Sequence, residues 1–305
     1  MKLNCRQSEP SGIRMIAVED LRKEYRGVVA VEGSSFSVEP GEVFGIIGPN
    51  GAGKTSTLKM LSGLVRPSGG SATVAGRDAA DPEMRRDLGF LPEESPLYEE
   101  MTAVSYLEFF ADLYDVPGDV ANRRITDSLD ALDLDARDRP IGDMSKGMKR
   151  KVAIARSLVN DPDVLVYDEP ASGLDPLTTN YILEFVRGLA DEGKTVVFSA
   201  HNLYHVEDVC DRVVIMNRGD IIARGTLEEI RETHGTTEYR VFTSVEVEGA
   251  VRENGQYERV VPDMGAVERV RESARKRGGE VVDIRTVEAS LEDIFLDLAG
   301  GPEGS

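Results

Sequence analysis

The chain has 305 residues and a mass of 33.3 kDa, with 55 acidic against 36 basic side chains and a formal net charge of -19. Its 40% of apolar residues suffices for one large domain, or one domain with a small appendage. No run approaches the roughly eighteen apolar residues that cross a bilayer, the polar stretch Met1 to Ile13 lacks the hydrophobic core of a secretory signal, and Cys5 and Cys210, far apart in sequence, exclude a disulfide framework or a cysteine-based metal site. The chain therefore reads as soluble and cytosolic. Only nine of the 36 basic residues are lysine. An acidic, lysine-poor surface predicts a protein of a halophile, because high salt screens the self-repulsion of so many carboxylates.

Residues 1–13 carry Asn4, Ser8, Pro10, Ser11 and Gly12 and read as a disordered extension, with Met15 opening a cleaner pattern and a possible start. From there to about Thr226, short β-branched runs alternate with helical stretches. Val43 to Ile47, Val164 to Tyr167, Thr195 to Phe198 and Val213 to Met216 are nearly continuous in apolar residues, as strands buried on both faces of a parallel sheet should be. This predicts an α/β domain over 14–235. Between about Pro96 and Asp143 the pattern turns helical (Tyr106, Leu107, Phe109, Phe110, Leu113, Tyr114, then Ile125, Leu129, Leu132), which predicts an inserted helical subdomain. Residues 236–300 predict a small α+β appendage: strands Tyr239 to Val247 and Val281 to Val287, a helix from Gly265 to Lys276, and a last helix from Leu291, followed by a tail at 301–305. The cluster Arg269, Arg271, Arg275, Lys276, Arg277 reads as a solvated helix face, and no nucleic-acid partner is expected.

The run Gly48-Pro49-Asn50-Gly51-Ala52-Gly53-Lys54-Thr55 follows an apolar strand and precedes a helix opening at Ser56, and it fits the phosphate-binding P-loop pattern. Glycines allow backbone amides to converge on an anion, and the following helix adds its positive end. In this pattern Lys54 reaches the β- and γ-phosphates of a nucleotide, and the Thr55 hydroxyl ligates Mg²⁺. A second buried strand ends in Asp168-Glu169. Asp168 would hold the metal and Glu169 polarise the attacking water, which divides two roles between adjacent carboxylates.

The remaining motifs narrow the class. Met144-Ser145-Lys146-Gly147-Met148 stands before the Asp-Glu strand, Ser172-Gly173-Leu174-Asp175-Pro176 follows it, and His201 ends the strand after that. With these in order, residues 15 to 230 resemble the ATP-binding subunit of ABC transporters, of the exporter-like, single-cassette branch. The resemblance implies the ABC-type P-loop ATPase fold and the hydrolysis of ATP with Mg²⁺. It also implies two copies, or this chain with a related cassette, closing head-to-tail around two nucleotides and driving a separate multi-span permease from the inner face of the cell membrane. It implies that Ser145 and Gly147 open a helix that binds the γ-phosphate held by the other subunit, that Asp175 lies in the loop linking the two sites, and that His201 contacts the γ-phosphate. Tyr25 takes the place of the aromatic that stacks on adenine. Glu93 stands where the family commonly has a glutamine and joins the metal's water shell; a carboxylate only accepts hydrogen bonds, where an amide also donates. Lys146 and Met148 depart from the usual Leu-Ser-Gly-Gly-Gln. Lys146, Lys149, Arg150 and Lys151 crowd a helix start whose dipole disfavours cations, which predicts an approaching polyanion. His205 and His234 read as ordinary surface residues, on a helix and in a loop. Leu97, Tyr98, Phe109, Phe110 and Tyr114 are the candidate permease-docking surface, although most of these aromatics are expected to pack the subdomain. The competing reading is a soluble ABC-type ATPase acting on ribosomes or nucleic acid. Its ribosome-directed members usually carry two cassettes and its DNA-directed members a long coiled coil, and this chain has neither. A P-loop kinase would leave the signature and His201 without a purpose.

Overall fold

A computed structural model describes residues 14–201, 204–235, 237–253 and 255–299. The extension expected at 1–13 and the tail at 301–305 lie outside these residues. The chain divides into two compact units between Arg224 and Gly225, earlier than the boundary at 235/236 that the composition suggests.

The first unit opens with two antiparallel strands, β1 (Ile16–Tyr25) and β2 (Val28–Val38). Arg26 and Gly27 turn the chain between them with φ of 49° and 88°, the mirror-image turn whose twist matches a two-residue hairpin. After β3 (Val43–Ile47) and α1 (Lys54–Leu61), β4 (Gly69–Val74) pairs with the other side of β1, and β5 (Arg77–Asp78) folds back on β4, giving a sheet ordered β2-β1-β4-β5. This antiparallel layer departs from the alternating pattern expected from Met15 onward. Its strands bury only some of their side chains, such as Ile16, Val18 and Leu21 of β1, and register shifts interrupt the period of two, so no continuous apolar run announces them.

The second layer is a six-stranded sheet ordered β10-β9-β3-β8-β7-β6, with β6 at Leu88–Leu91, β7 at Val164–Tyr167, β8 at Thr195–Ala200, β9 at Arg212–Asn217 and β10 at Asp220–Gly225. The pairs β6-β7, β7-β8, β8-β3 and β3-β9 are parallel. Every residue of β3 and β7 is buried. Leu58, Met60 and Leu61 of α1 join the core formed by Ile16, Leu21, Val31 and Val38 of the antiparallel layer and by Val164, Val166, Val197 and Val214 of the parallel one. At roughly 1.5–3 kcal/mol for each fully buried aliphatic side chain, this shared core fixes where α1 begins, and so where the P-loop sits.

Between β6 and β7 lie α2 (Ala103–Leu113), α3 (Gly118–Ala131) and α4 (Lys146–Leu158). α2 and α3 fall within the segment read as helical, about 96–143, where the strand-like feature among the described residues is an isolated bridge between Thr102 and Pro140, and α4 follows it. Tyr106, Leu107, Ile125, Leu129 and Leu132 form its core. α5 (Pro176–Asp191) joins β7 to β8, and α6 (Tyr204–Glu207) follows β8. Among the described residues no helix is long and apolar enough to cross a membrane.

The second unit holds α7 (Leu227–His234), β11 (Thr237–Thr243), β12 (Val251–Glu253), β13 (Gln256–Val261), α8 (Met264–Lys276), β14 (Val281–Glu288) and α9 (Leu291–Ala299). Its antiparallel sheet runs β12-β13-β11-β14 and packs Val241 and Val261 against Val267, Val270 and Ala274 of α8. His234, expected in a loop, is the last residue of α7, a helix started by a reciprocal cap between Thr226 and Glu229.

Candidate active site

The P-loop connects β3 to α1 at the carboxyl end of the parallel sheet. Gly48 and Gly53 adopt φ of 156° and 107°. A Cβ on Gly48 would stand 2.2 Å from the Met216 carbonyl oxygen and one on Gly53 2.5 Å from that of Ala30, so only glycine fits either place. The cradle is thus pressed between the end of β9 and the β1–β2 hairpin. No side chain caps α1 and its first turn holds no acidic residue, which leaves its leading N–H groups and positive dipole end to an anion.

Lys54 is buried inside this loop. Its Nζ donates to the Gly48 carbonyl at 2.8 Å and the Pro49 carbonyl at 3.3 Å, and lies 3.3 Å from Glu169 Oε1. The Thr55 hydroxyl donates to Asp168 Oδ1 at 3.2 Å. Asp168 and Glu169 leave the end of β7, and Ser199, near the end of β8, anchors both: its hydroxyl donates to Asp168 Oδ1 at 2.7 Å and accepts the Glu169 N–H at 2.9 Å. Glu169 has a left-handed backbone, φ 50°. The other oxygen of its carboxylate meets His201 Nδ1 at 2.7 Å. Glu169, the two motif residues Lys54 and His201, and the cradle therefore form one connected group. A cavity lined by Ala30, the loop residues Pro49, Asn50, Gly51, Ala52, Gly53, Lys54, Thr55 and Ser56, and by Glu93 and Glu169 opens onto it.

The other predicted residues stand apart from that cavity. Tyr25 ends β1 with its ring exposed and the Lys23 ammonium 4.8 Å from the ring centre. Ser145 caps α4, its hydroxyl accepting the Met148 N–H at 3.2 Å, and Gly147 lies where a Cβ would meet Thr178 Cγ2 at 3.1 Å. Asp175 caps α5: Oδ1 accepts the Thr178 N–H at 3.0 Å and Oδ2 the Thr178 hydroxyl at 2.6 Å. These bonds, the side-chain one first, hold its carboxyl below the usual range. None of these residues lines the phosphate cavity, so one chain does not bring its own signature to its own P-loop.

Three of the four cations at the crowded helix start, Lys149, Arg150 and Lys151, meet partners within the chain. Lys149 pairs with Glu99 at 2.8 Å, and Lys151 donates to the Asp133 carbonyl at 3.1 Å with its ammonium 4.5 Å from the Tyr181 ring centre. Arg150 is buried behind the Asp168-Glu169 turn. Of the candidate docking residues, Leu97 and Phe110 are half-buried, the Phe110 ring 4.9 Å from that of the core residue Tyr106, whereas Tyr98, Phe109 and Tyr114 are exposed, with Tyr98 and Phe109 edge-to-face at 5.9 Å.

Sequence reasoning missed Ser199 and Arg150 as parts of the site. The signal for Arg150 was present: it shares a helical stripe with the buried residues Ala153, Ile154 and Ser157.

A phosphate-binding loop at the carboxyl end of a parallel sheet, faced by two carboxylates and a histidine from neighbouring strands, defines a nucleoside-triphosphate hydrolase of the P-loop class. The family model described as ABC transporter matches residues 31–172. An uncharacterised ABC transporter ATP-binding protein of Nostoc sp. is 35% identical over 93% of this chain and 89% of its own length. The ABC transporter ATP-binding protein NatA of Bacillus subtilis is 38% identical over 77% of this chain and 99% of its own. The Nod factor export ATP-binding protein I of Ralstonia nicotianae is 37% identical over 71% and 68%. Among solved structures, an ATP-binding subunit of an ABC transporter superposes with a TM-score of 0.66 at 34% identity, covering 72% of this chain and 92% of that one. A dimeric ATP-binding cassette in a post-hydrolysis state with ADP and Pi gives 0.64 at 25% identity, covering 70% and 99%. The chain belongs to the ATP-binding proteins of ABC transporters, and it is an ATP hydrolase.

Proposed function

We propose that two copies of this chain, or this chain and a related cassette, close head-to-tail around two ATP molecules and drive a multi-span membrane permease from the inner face of the membrane. The observation that carries this reading is the separation within one chain of the phosphate cavity from the Ser145-Gly147 helix start. A two-fold arrangement supplies the missing part, each α4 N-terminus facing the γ-phosphate held by the other copy. Asp175, capping the helix after Gly173, lies in the loop that links the two sites.

In the complete site Lys54 leaves Glu169 for the β- and γ-phosphates, and the P-loop amides and the α1 dipole stabilise the transferring phosphoryl group. Glu169 orients and deprotonates the attacking water, and His201, bonded to it, contacts the γ-phosphate. The Thr55 hydroxyl and Asp168 carboxylate are adjacent hard oxygens that would hold Mg²⁺. Among the described residues no group of three His, Cys, Asp or Glu side chains competes for it. Bound there, Mg²⁺ would supply charge neutralisation of the phosphates, and Glu93, which lines the same cavity, would add a carboxylate toward it. Tyr25, exposed at its hairpin tip, offers a face to adenine. Tyr98, Phe109 and Tyr114 present the surface on which the permease docks.

The test is Glu169→Gln. It should keep ATP affinity, lose kcat by about 100-fold or more, and accumulate ATP-bound dimers in size-exclusion chromatography with light scattering. Undiminished hydrolysis would remove Glu169 from the role of base, and an inactive variant that stays monomeric with Mg-ATP would overturn the two-fold site.

A further inference from the structure

We infer that Arg150 is a positioning residue for hydrolysis: its guanidinium holds the left-handed turn that aims Glu169 and ties that turn to the loop carrying Glu93. The inference rests on the reading of Glu169 as the base.

Arg150 sits one turn into α4 and is only 8% exposed. Its Nε donates to the Pro170 carbonyl at 2.7 Å, Nη1 to those of Pro92 at 2.9 Å and Glu93 at 3.0 Å, and Nη2 to those of Asp168 at 3.2 Å and Glu169 at 2.5 Å. A guanidinium has five N–H groups, and here each has one carbonyl. Three of the five acceptors are the consecutive carbonyls of 168, 169 and 170, so the group is moulded to the backbone around Glu169. That residue's positive φ is unfavourable for a side chain with a Cβ and persists only where its surroundings enforce it. Burial lowers the Arg150 pKa to about 10, opposed by the nearby carboxylates of Asp168 and Glu93. Filling the space does not explain the choice of residue, since an apolar side chain would do so without desolvating a charge. What the guanidinium adds is direction. It fixes three segments at once: the start of α4, the loop after β6 and the turn after β7. On the far side of that turn the Glu169 carboxylate is aimed at Lys54 and His201, at 3.3 and 2.7 Å.

The experiment compares Arg150→Met and Arg150→Lys with the unmodified chain by steady-state ATPase assay and by titration with a fluorescent ATP analogue. A turn that no longer holds Glu169 to within an ångström should lower kcat about 100-fold, while nucleotide affinity, set by the P-loop, moves less than about threefold. Arg150→Lys keeps the charge and the stem but has three donors for five carbonyls, so it should recover part of the rate; it also serves if Arg150→Met does not fold. The losses should not multiply with that of Glu169→Gln: in single-turnover assays the double variant should match Glu169→Gln alone, because the turn then has no base to aim. A role confined to folding would lower affinity together with rate and would multiply. An unchanged kcat in either Arg150 variant, or a multiplicative double variant, overturns the inference while leaving Glu169 as the base. Full activity in Glu169→Gln overturns both.

Discussion

The residues that carry the chemistry differ in how readily the sequence discloses them. Lys54, Thr55, Asp168, Glu169 and His201 stand in short linear patterns at strand ends, and the fold brings them into one hydrogen-bonded group. Ser199 and Arg150 reach segments distant in sequence; the helical stripe of Arg150 discloses its burial, but no local pattern encodes either residue's partners. Asp175 was legible as a motif position, but its work as a cap for α5 follows from backbone geometry. At this scale the clearest test is Lys54→Ala. Nζ is the cation of the cradle, bonded to two loop carbonyls. The variant should lose at least about 100-fold in affinity for a fluorescent ATP analogue, through loss of charge-assisted bonds to the phosphates; affinity within about threefold of the unmodified chain would take the phosphate role away from Lys54.

Among the elements, β3, β7, β8 and β9 were readable because both their faces are buried, which leaves an unbroken apolar run. The hairpin β1–β2 was not, because its strands are half-buried and shift register between Val18 and Leu21 and again after Lys23. Strands as short as β5 and β12 carry too few residues to show a period. The helical segment between β6 and β7 depends on a sharp start for α2, where Thr102 and Ser105 bond each other's backbone N–H groups. Thr102→Ala removes this reciprocal cap and should cost about 1 kcal/mol, seen as a melting temperature lower by about 2–4 °C. Thr102→Ser should restore it. An unchanged melting curve for the alanine variant would show that the cap contributes nothing to the unit.

For the whole molecule, similarity to the Nostoc protein spans 93% of the chain, so the alignment reaches into the second unit. The solved cassettes cover 70–72%. The net charge of -19 is a property of the entire surface, and self-repulsion of this size opposes the compact state unless salt screens it. Thermal stability should therefore rise steeply between about 0.1 M and 2 M KCl, where the screening length falls from about 10 Å to below 3 Å. A melting temperature independent of salt over that range would refute a saline adaptation.

The ammonium lodged among the P-loop carbonyls and against Glu169 makes one side chain answerable for both the shape of the cradle and the charge beside the base. Replacing it would therefore alter two things together, the contacts of the Gly48 and Pro49 carbonyls and the field at the Glu169 carboxylate.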